Sequence, residues 1–280
     1  MNKKILLYQS ADMLLHTLIA SSSLSVMTKV LFDHDGPKCI DGSPAGYYIS
    51  EGRSDRYVMW LEGGGICQGS SDCAGRAKSD LGSSTKWSPT MTDPRPLLSQ
   101  NASDNPDFYN STLIYVPYCS GDVWIGQMAA ATNPWATIAA AAKASGNAQL
   151  IAKTAAANDE PLFSGYFHGH LIPAAIVATL QTTGVTRADG TTYTLGNTPD
   201  ASTDVLLTGC SAGGIGTFMN CDWLADTLDA TSSGISVKCR PEAGWFGLPM
   251  NNYPNYVAHT ADREYTFFLF SLYGVYVSSF

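Results

Sequence analysis

The chain has 280 residues, 45% of them apolar and only 14% charged, which excludes a disordered chain and gives enough apolar surface for a sizeable core. A formal net charge of -8, with no Lys/Arg cluster opposing it, argues against a nucleic-acid or anionic-membrane partner. Seven cysteines without a C-x-x-C pair, beside five histidines, speak against a structural zinc site and for disulfides made in an oxidising compartment.

The first 36 residues form a poorly defined segment. Lys3 and Lys4 precede an apolar run, Ile5 to Tyr8, that Gln9, Ser10 and Asp12 interrupt; a second run, Met13 to Ala20, contains His16. Neither run is long enough to span a bilayer. The segment reads as a degraded signal peptide, and the sequons Asn101-Ala102-Ser103 and Asn110-Ser111-Thr112 agree with a secreted, extracellular or cell-wall protein. An odd number of cysteines leaves one thiol free or paired outside this chain.

Residues 37–280 are expected to form one domain. Tyr47 to Ile49 and Tyr57 to Leu61 are strand candidates, the second apolar enough to be central in a sheet. Residues 68–111 are polar and rich in Ser, Asp and Pro, a long surface excursion that a Cys67/Cys73 pair could staple at its start. A third strand, Leu113 to Val116, ends at Pro117 and leads into the loop Tyr118 to Trp124. Residues 128–158 are Ala-rich and of low complexity. Phe163 to Gln181 has helical character that Pro173 should restrict or kink, and Ala188 to Thr191 reads as a hairpin tip. Asp204 to Thr208 is a fourth strand. Ile215 to Leu228 is a helix on which Phe218, Trp223, Leu224 and Leu228 can share a buried face. Ser236 to Cys239 is the fifth strand. Strands alternating with helical segments predict an α/β protein with a mostly parallel central sheet and helices on both faces.

Chemistry concentrates where the fourth strand ends. Gly209, Ser211 and Gly213 meet the G-x-S-x-G spacing, which lets a serine project from a tight strand-to-helix turn flanked by small residues. A nucleophilic serine also needs donors for a tetrahedral oxyanion. The N–H of Ala212 can supply one, and Gly63-Gly64-Gly65, directly after the second strand, can turn further N–H groups inward. His168 and His170 are better read as loop or helix-start residues than as metal ligands, since no Cys, Asp or Glu stands nearby at ligand spacing. No metal and no cofactor are expected.

Five segments carry a resemblance to a known family. Cys39-Ile40-Asp41-Gly42-Ser43-Pro44, Leu61-Glu62-Gly63-Gly64-Gly65 with Cys67, Val116 to Trp124, Gly209-Cys210-Ser211-Ala212-Gly213-Gly214 and Ala243-Gly244-Trp245-Phe246 resemble the pectin acetylesterase/Notum family of carboxylesterases, in the family's order. The resemblance implies an α/β-hydrolase-like fold and ester hydrolysis by a Ser–Asp–His triad. In it Ser211 is the nucleophile and Gly64, Gly65 and Ala212 are the oxyanion-hole donors. The implied substrate is an acylated polysaccharide or an acylated protein: plant-type members remove acetyl groups from pectin, and Notum-type members remove a fatty acyl group from a secreted signalling protein. The loop Tyr118 to Trp124 is more similar to the Notum side, and Trp124, Trp245 and Phe246 are candidates for an acyl-pocket wall. Ile66 departs from both groups, which place a tryptophan near that point, and Glu242 stands where the family usually has an aspartate.

The family's triad acid and base lie further downstream than the residues left after Ser211, where Asp222, Asp226, Asp229, Asp262 and His259 are the available aspartates and histidine. This reading makes the chain a C-terminally truncated member with weak or no activity, and a missing part would account for the odd cysteine. A non-enzymatic alternative is a pseudo-esterase that binds glycans or acylated ligands through the same cleft.

Overall fold

Nine strands and three α-helices can be traced in the computed structural model, which describes residues 25–67, 69–133, 143, 144, 146, 148, 163–196, 202–231 and 234–244. In chain order they are β1 (Val26–Leu31), β2 (Gly46–Ser50), β3 (Arg53–Leu61), α1 (Ser70–Arg76), β4 (Thr90–Thr92), β5 (Ser111–Val116), α2 (Leu171–Thr182), β6 (Val185–Thr186), β7 (Thr192–Tyr193), β8 (Thr203–Cys210), α3 (Ala212–Thr231) and β9 (Ile235–Glu242).

The most apolar runs become the middle of the sheet, because a strand buried on both faces has no position for a polar side chain. The last five residues of β3 and all six of β5 are buried. Seven strands form one sheet in the order β4-β1-β2-β5-β3-β8-β9. Its pairs β5–β3, β3–β8 and β8–β9 are parallel, whereas β2–β5, β1–β2 and β1–β4 are antiparallel. Two successive reversals turn β1 back into line with β5, so five of the seven strands share one direction. The remaining pair, β6 and β7, is a small hairpin closed at residues 187–191, where the Arg187 amide donates to the Thr191 carbonyl at 2.8 Å. That tip is where the turn residues of the sequence place it.

Register decides where function can sit. Leu61 pairs with Val116 on one side and Gly209 on the other, and Cys210 pairs with Glu242. The carboxyl ends of β3, β5, β8 and β9 therefore lie together, and the loops that leave them converge at the edge where open parallel sheets bind ligands.

Several expectations are corrected by packing. Residues 68–111 are not merely a surface excursion: Trp87 and Leu98 are buried, Trp87 packs against Tyr48 with ring centroids 6.3 Å apart, and the Arg95 guanidinium lies 4.8 Å over the Trp60 ring. They cover the sheet face that carries Tyr48, Tyr115 and Trp60. The helix expected from Phe163 begins only at Leu171, because Gly165 bridges to Thr132 in extended backbone. Pro173 then falls in the first turn of α2, where a missing N–H costs no helical hydrogen bond. On α3 the buried row is Thr217, Asn220, Leu224 and Leu228 at helical spacing, and Phe218, one residue off that row, is 52% exposed. The two helices lie side by side, with Gln181 Nε2 donating to Thr231 Oγ1 at 2.7 Å.

β1 lies inside the stretch that the sequence leaves unassigned, with Met27 fully buried, while the signal-like residues 1–24 fall outside the described residues. Three disulfides join Cys39 to Cys119, Cys67 to Cys73 and Cys221 to Cys239, leaving Cys210 as the free thiol. No helix among the described residues is long and apolar enough to cross a membrane.

Candidate active site

The turn between β8 and α3 holds Ser211 in the left-handed region at φ +57°, exposed to solvent. A non-glycine residue adopts that conformation only at an energetic cost, so the surroundings must impose it. They do so at both ends. The Ser211 amide donates to the Glu242 carbonyl at 3.0 Å, and its carbonyl accepts from the Ile215 amide at 3.0 Å, the first helical bond of α3.

The turn requires small neighbours. A Cβ at Gly213 would overlap the Leu61 carbonyl oxygen, and one at Gly63 would lie 2.5 Å from the Cys210 carbonyl oxygen and 3.1 Å from the Ser211 Cβ. The glycine loop after β3 is thus packed directly against the serine turn. Gly65 is exposed beside it at φ +75°, and the Gly64 carbonyl accepts a 2.7 Å bond from Arg76 Nη1. Ala212 is buried at the start of α3, where first-turn N–H groups lack an intrahelical partner. Ser211, Gly64, Gly65 and Ala212 therefore occupy adjoining turns at one sheet edge.

The loop after β5 braces this edge from below. Val123 and Trp124 both have positive φ, +51° and +67°. The strain is held by Asp122, fully buried, which accepts from Ser120 Oγ at 2.6 Å, from the Trp124 amide at 3.2 Å and from the Gly169 amide at 2.8 Å. Burial pushes the Asp122 carboxyl above its ordinary value, against the opposing pull of those donors. Trp124 Nε1 donates to the Glu62 carbonyl at 2.9 Å, and Asn220 Nδ2 donates to the Trp124 carbonyl at 2.9 Å. Trp124 is fully buried and acts as a strut between β3 and α3 rather than as an acyl-pocket wall. The other wall candidates, Trp245 and Phe246, lie outside the described residues, as do His259 and Asp262.

The described histidines have other partners. His168 Nδ1 accepts from the Lys38 amide at 3.0 Å, and burial lowers its pKa. His170 Nδ1 meets Asn220 Oδ1 at 2.5 Å, with the ring edge-on to Trp223. Among the described residues no histidine is hydrogen-bonded to Ser211. Asp222, Asp226 and Asp229 lie along α3, the nearest about 15 Å from its start at 1.5 Å per residue, too far to orient a base at Ser211. A separate cavity of about 400 Å³, lined by Tyr48, Glu62, Trp87, Tyr115 and their neighbours, opens on the Trp60 face and does not include Ser211.

Arg76 and Asn220 act here without any motif to announce them, and Asp122, though inside the segment Val116 to Trp124, was given no role by the sequence. All three work through long-range hydrogen bonds to backbone groups. The signal for Asp122 was indirect, a run of unusual side chains directly after a central strand.

A serine at a strained strand-to-helix turn, with a glycine loop against it at the carboxyl edge of a mainly parallel sheet, defines an α/β-hydrolase-like protein. The pectinacetylesterase family model matches residues 19–268, and the chain belongs to that family. It is 33% identical over 213 residues, 74% of its length, to the palmitoleoyl-protein carboxylesterase notum1 of Xenopus laevis. It is 30% identical over 243 residues, 86% of its length, to pectin acetylesterase 5 of Arabidopsis thaliana. It spans 34% of the length of the first and 45% of the second. The solved structure of the Drosophila Wnt deacylase Notum superposes with a TM-score of 0.65 at 25% identity, covering 89% of this chain and 61% of that one.

Proposed function

We propose that the protein is a carboxylic-ester hydrolase, a deacylase whose nucleophile is Ser211. The observation that carries this reading is the left-handed backbone of Ser211 at the tip of β8 with Gly63 packed against it. A hydroxyl presented on such a turn has room for an approaching carbonyl. Ser211 Oγ forms a bond to the acyl carbon as its proton passes to a histidine, and the N–H groups of Gly64, Gly65 and Ala212 receive the oxyanion. The alcohol leaves with that proton, and water activated by the same base releases the acid from the acyl-enzyme. No cofactor enters this scheme.

The substrate is an acetylated, pectin-like polysaccharide or an acylated protein. The names of the two relatives support both classes, one a palmitoleoyl-protein carboxylesterase and the other a pectin acetylesterase. Secretion to the extracellular space or cell wall is part of this reading, supported by three disulfides among seven cysteines.

The test is acid release from p-nitrophenyl acetate and from acetylated pectin by the protein and by Ser211→Ala. Turnover, however weak, that the substitution abolishes supports the reading. Turnover unchanged by it overturns Ser211 as nucleophile, and tight binding of acetylated pectin without turnover moves the protein to the pseudo-esterase alternative.

A further inference from the structure

The bond between Arg76 and Gly64 has a consequence for the neighbouring peptide. Arg76 closes α1, its side chain is only 14% exposed, and Nη1 donates to the Gly64 carbonyl at 2.7 Å while Nε pairs with Asp72 at 3.3 Å. A Cβ added at Gly65 would stand 3.1 Å from the other terminal nitrogen, Nη2, so the guanidinium lies close to both Gly64 and Gly65. In a trans peptide the C=O and the next N–H point in opposite directions. Fixing the Gly64 carbonyl on Arg76 therefore turns the Gly65 N–H away from the guanidinium.

Among the described residues no other hydrogen bond holds that peptide, although Leu81 and Tyr118 pack closely against Gly64. Glycine flanks it on both sides, and glycine allows a peptide to rotate through half a turn at little steric cost. The neighbours further along are secured: Gly63 is wedged against Cys210, and the Cys67 amide donates to the Gly121 carbonyl at 2.8 Å. The Cys67–Cys73 disulfide ties the end of the same loop to α1, one turn before Arg76. The helix and the loop are thus clamped together at two points, one covalent and one charged.

We infer that Arg76 is a positioning residue for the oxyanion hole, holding the Gly64–Gly65 peptide in the orientation that presents the Gly65 N–H on the Ser211 side. It touches no reacting atom. It acts by keeping one donor aimed before the oxyanion forms, which is where preorganised donors gain their effect. The inference deepens the esterase reading above and rests on it.

The test uses Arg76→Gln and Arg76→Lys in the full chain, with two readouts. In ¹⁵N-glycine-labelled protein the Gly65 amide gives one sharp resonance; Arg76→Gln broadens or doubles it, while Arg76→Lys, which keeps a charged donor, preserves most of it. On p-nitrophenyl acetate Arg76→Gln lowers kcat about 10- to 100-fold, less than the loss of a whole donor, leaves KM within about twofold, and is partly rescued by added guanidinium. A Gly65 resonance unchanged in Arg76→Gln, or a rise in KM alongside the fall in kcat without guanidinium rescue, overturns the inference. Should Arg76→Gln not fold, Arg76→Met, which also lacks the charged donor, takes its place with the same readouts and the same outcomes. Failure of the esterase reading is separate and appears as turnover surviving Ser211→Ala, whatever the Gly65 resonance does.

Discussion

The amide of Ser211 donates to the carbonyl of Glu242 at 3.0 Å, fastening the tip of β8 to the tip of β9. This bond extends the β8–β9 ladder one residue past its last pair, Cys210 with Glu242, and makes the serine turn part of the sheet. Its helix side is fastened as well, since the Cys221–Cys239 disulfide joins α3 to β9. The strained residue is therefore held from the strand before it, the helix after it and the strand beside it. Glu242 contributes its backbone here, and its carboxylate faces Arg240.

Opening the disulfide should loosen that frame. The double substitution Cys221→Ala/Cys239→Ala removes a bridge across 18 residues, which the chain-entropy model values at about 3 kcal/mol. The expected result is a drop in the denaturant midpoint, together with reduced turnover on p-nitrophenyl acetate. An unchanged midpoint would show that the ladder and the helix packing hold α3 on their own.

Close packing at the elbow gives a sharper contrast. Gly213→Ala would place a methyl group on the Leu61 carbonyl oxygen, a backbone atom that cannot swing aside. The expected loss is about 3 kcal/mol, at the upper end of the usual cost of overpacking. Gly75→Ala is the control: it lies in the exposed part of α1 with open space around it and should stabilise by about 0.5–1 kcal/mol. Chemical denaturation of both variants checks the pair, and equal effects would refute the packing account.

Much of this arrangement was legible in the residues. The central strands are continuous apolar runs, and the elbow and its glycine loop declare themselves because only glycine tolerates such approaches. The strands β1 and β4 were not legible, for a physical reason. Val26–Leu31 is an edge-side strand carrying Thr28 and Lys29, and the three residues Thr90–Thr92 form a strand only because β1 pairs with them. The same holds for Trp124, whose place as a strut depends on Glu62 and Asn220, residues 62 and 96 positions away. Periodicity carries no information about such contacts.

Glu62 should leave a mark on the pH dependence of stability. Burial raises its carboxyl above the ordinary value, outweighing the Tyr118 amide, which donates to it at 2.8 Å, and the Tyr115 hydroxyl. A raised carboxyl binds its proton more tightly in the folded than in the unfolded state. The stability it contributes is thus complete below the ordinary glutamate range and is lost as pH rises through the raised folded value. Glu62→Gln cannot ionise, so its denaturant midpoint should improve relative to the parent as pH rises above the ordinary glutamate range. Parallel profiles for the two proteins would mean that Glu62 is already solvated when folded.

The strain at Ser211 separates stability from activity. A side chain in the left-handed region costs about 1–2 kcal/mol, and glycine there costs almost nothing. Ser211→Gly and Ser211→Ala both remove the hydroxyl, and both should abolish turnover. They should differ in stability, because alanine keeps the Cβ that the turn disfavours. Ser211→Gly is expected to exceed Ser211→Ala by about 1 kcal/mol, roughly 2–4 °C in Tm for a domain of this size. Thermal unfolding of the two inactive variants side by side makes the comparison. A serine kept where glycine is more stable is retained for its hydroxyl; equal melting points would show an unstrained turn and remove that argument for a nucleophile.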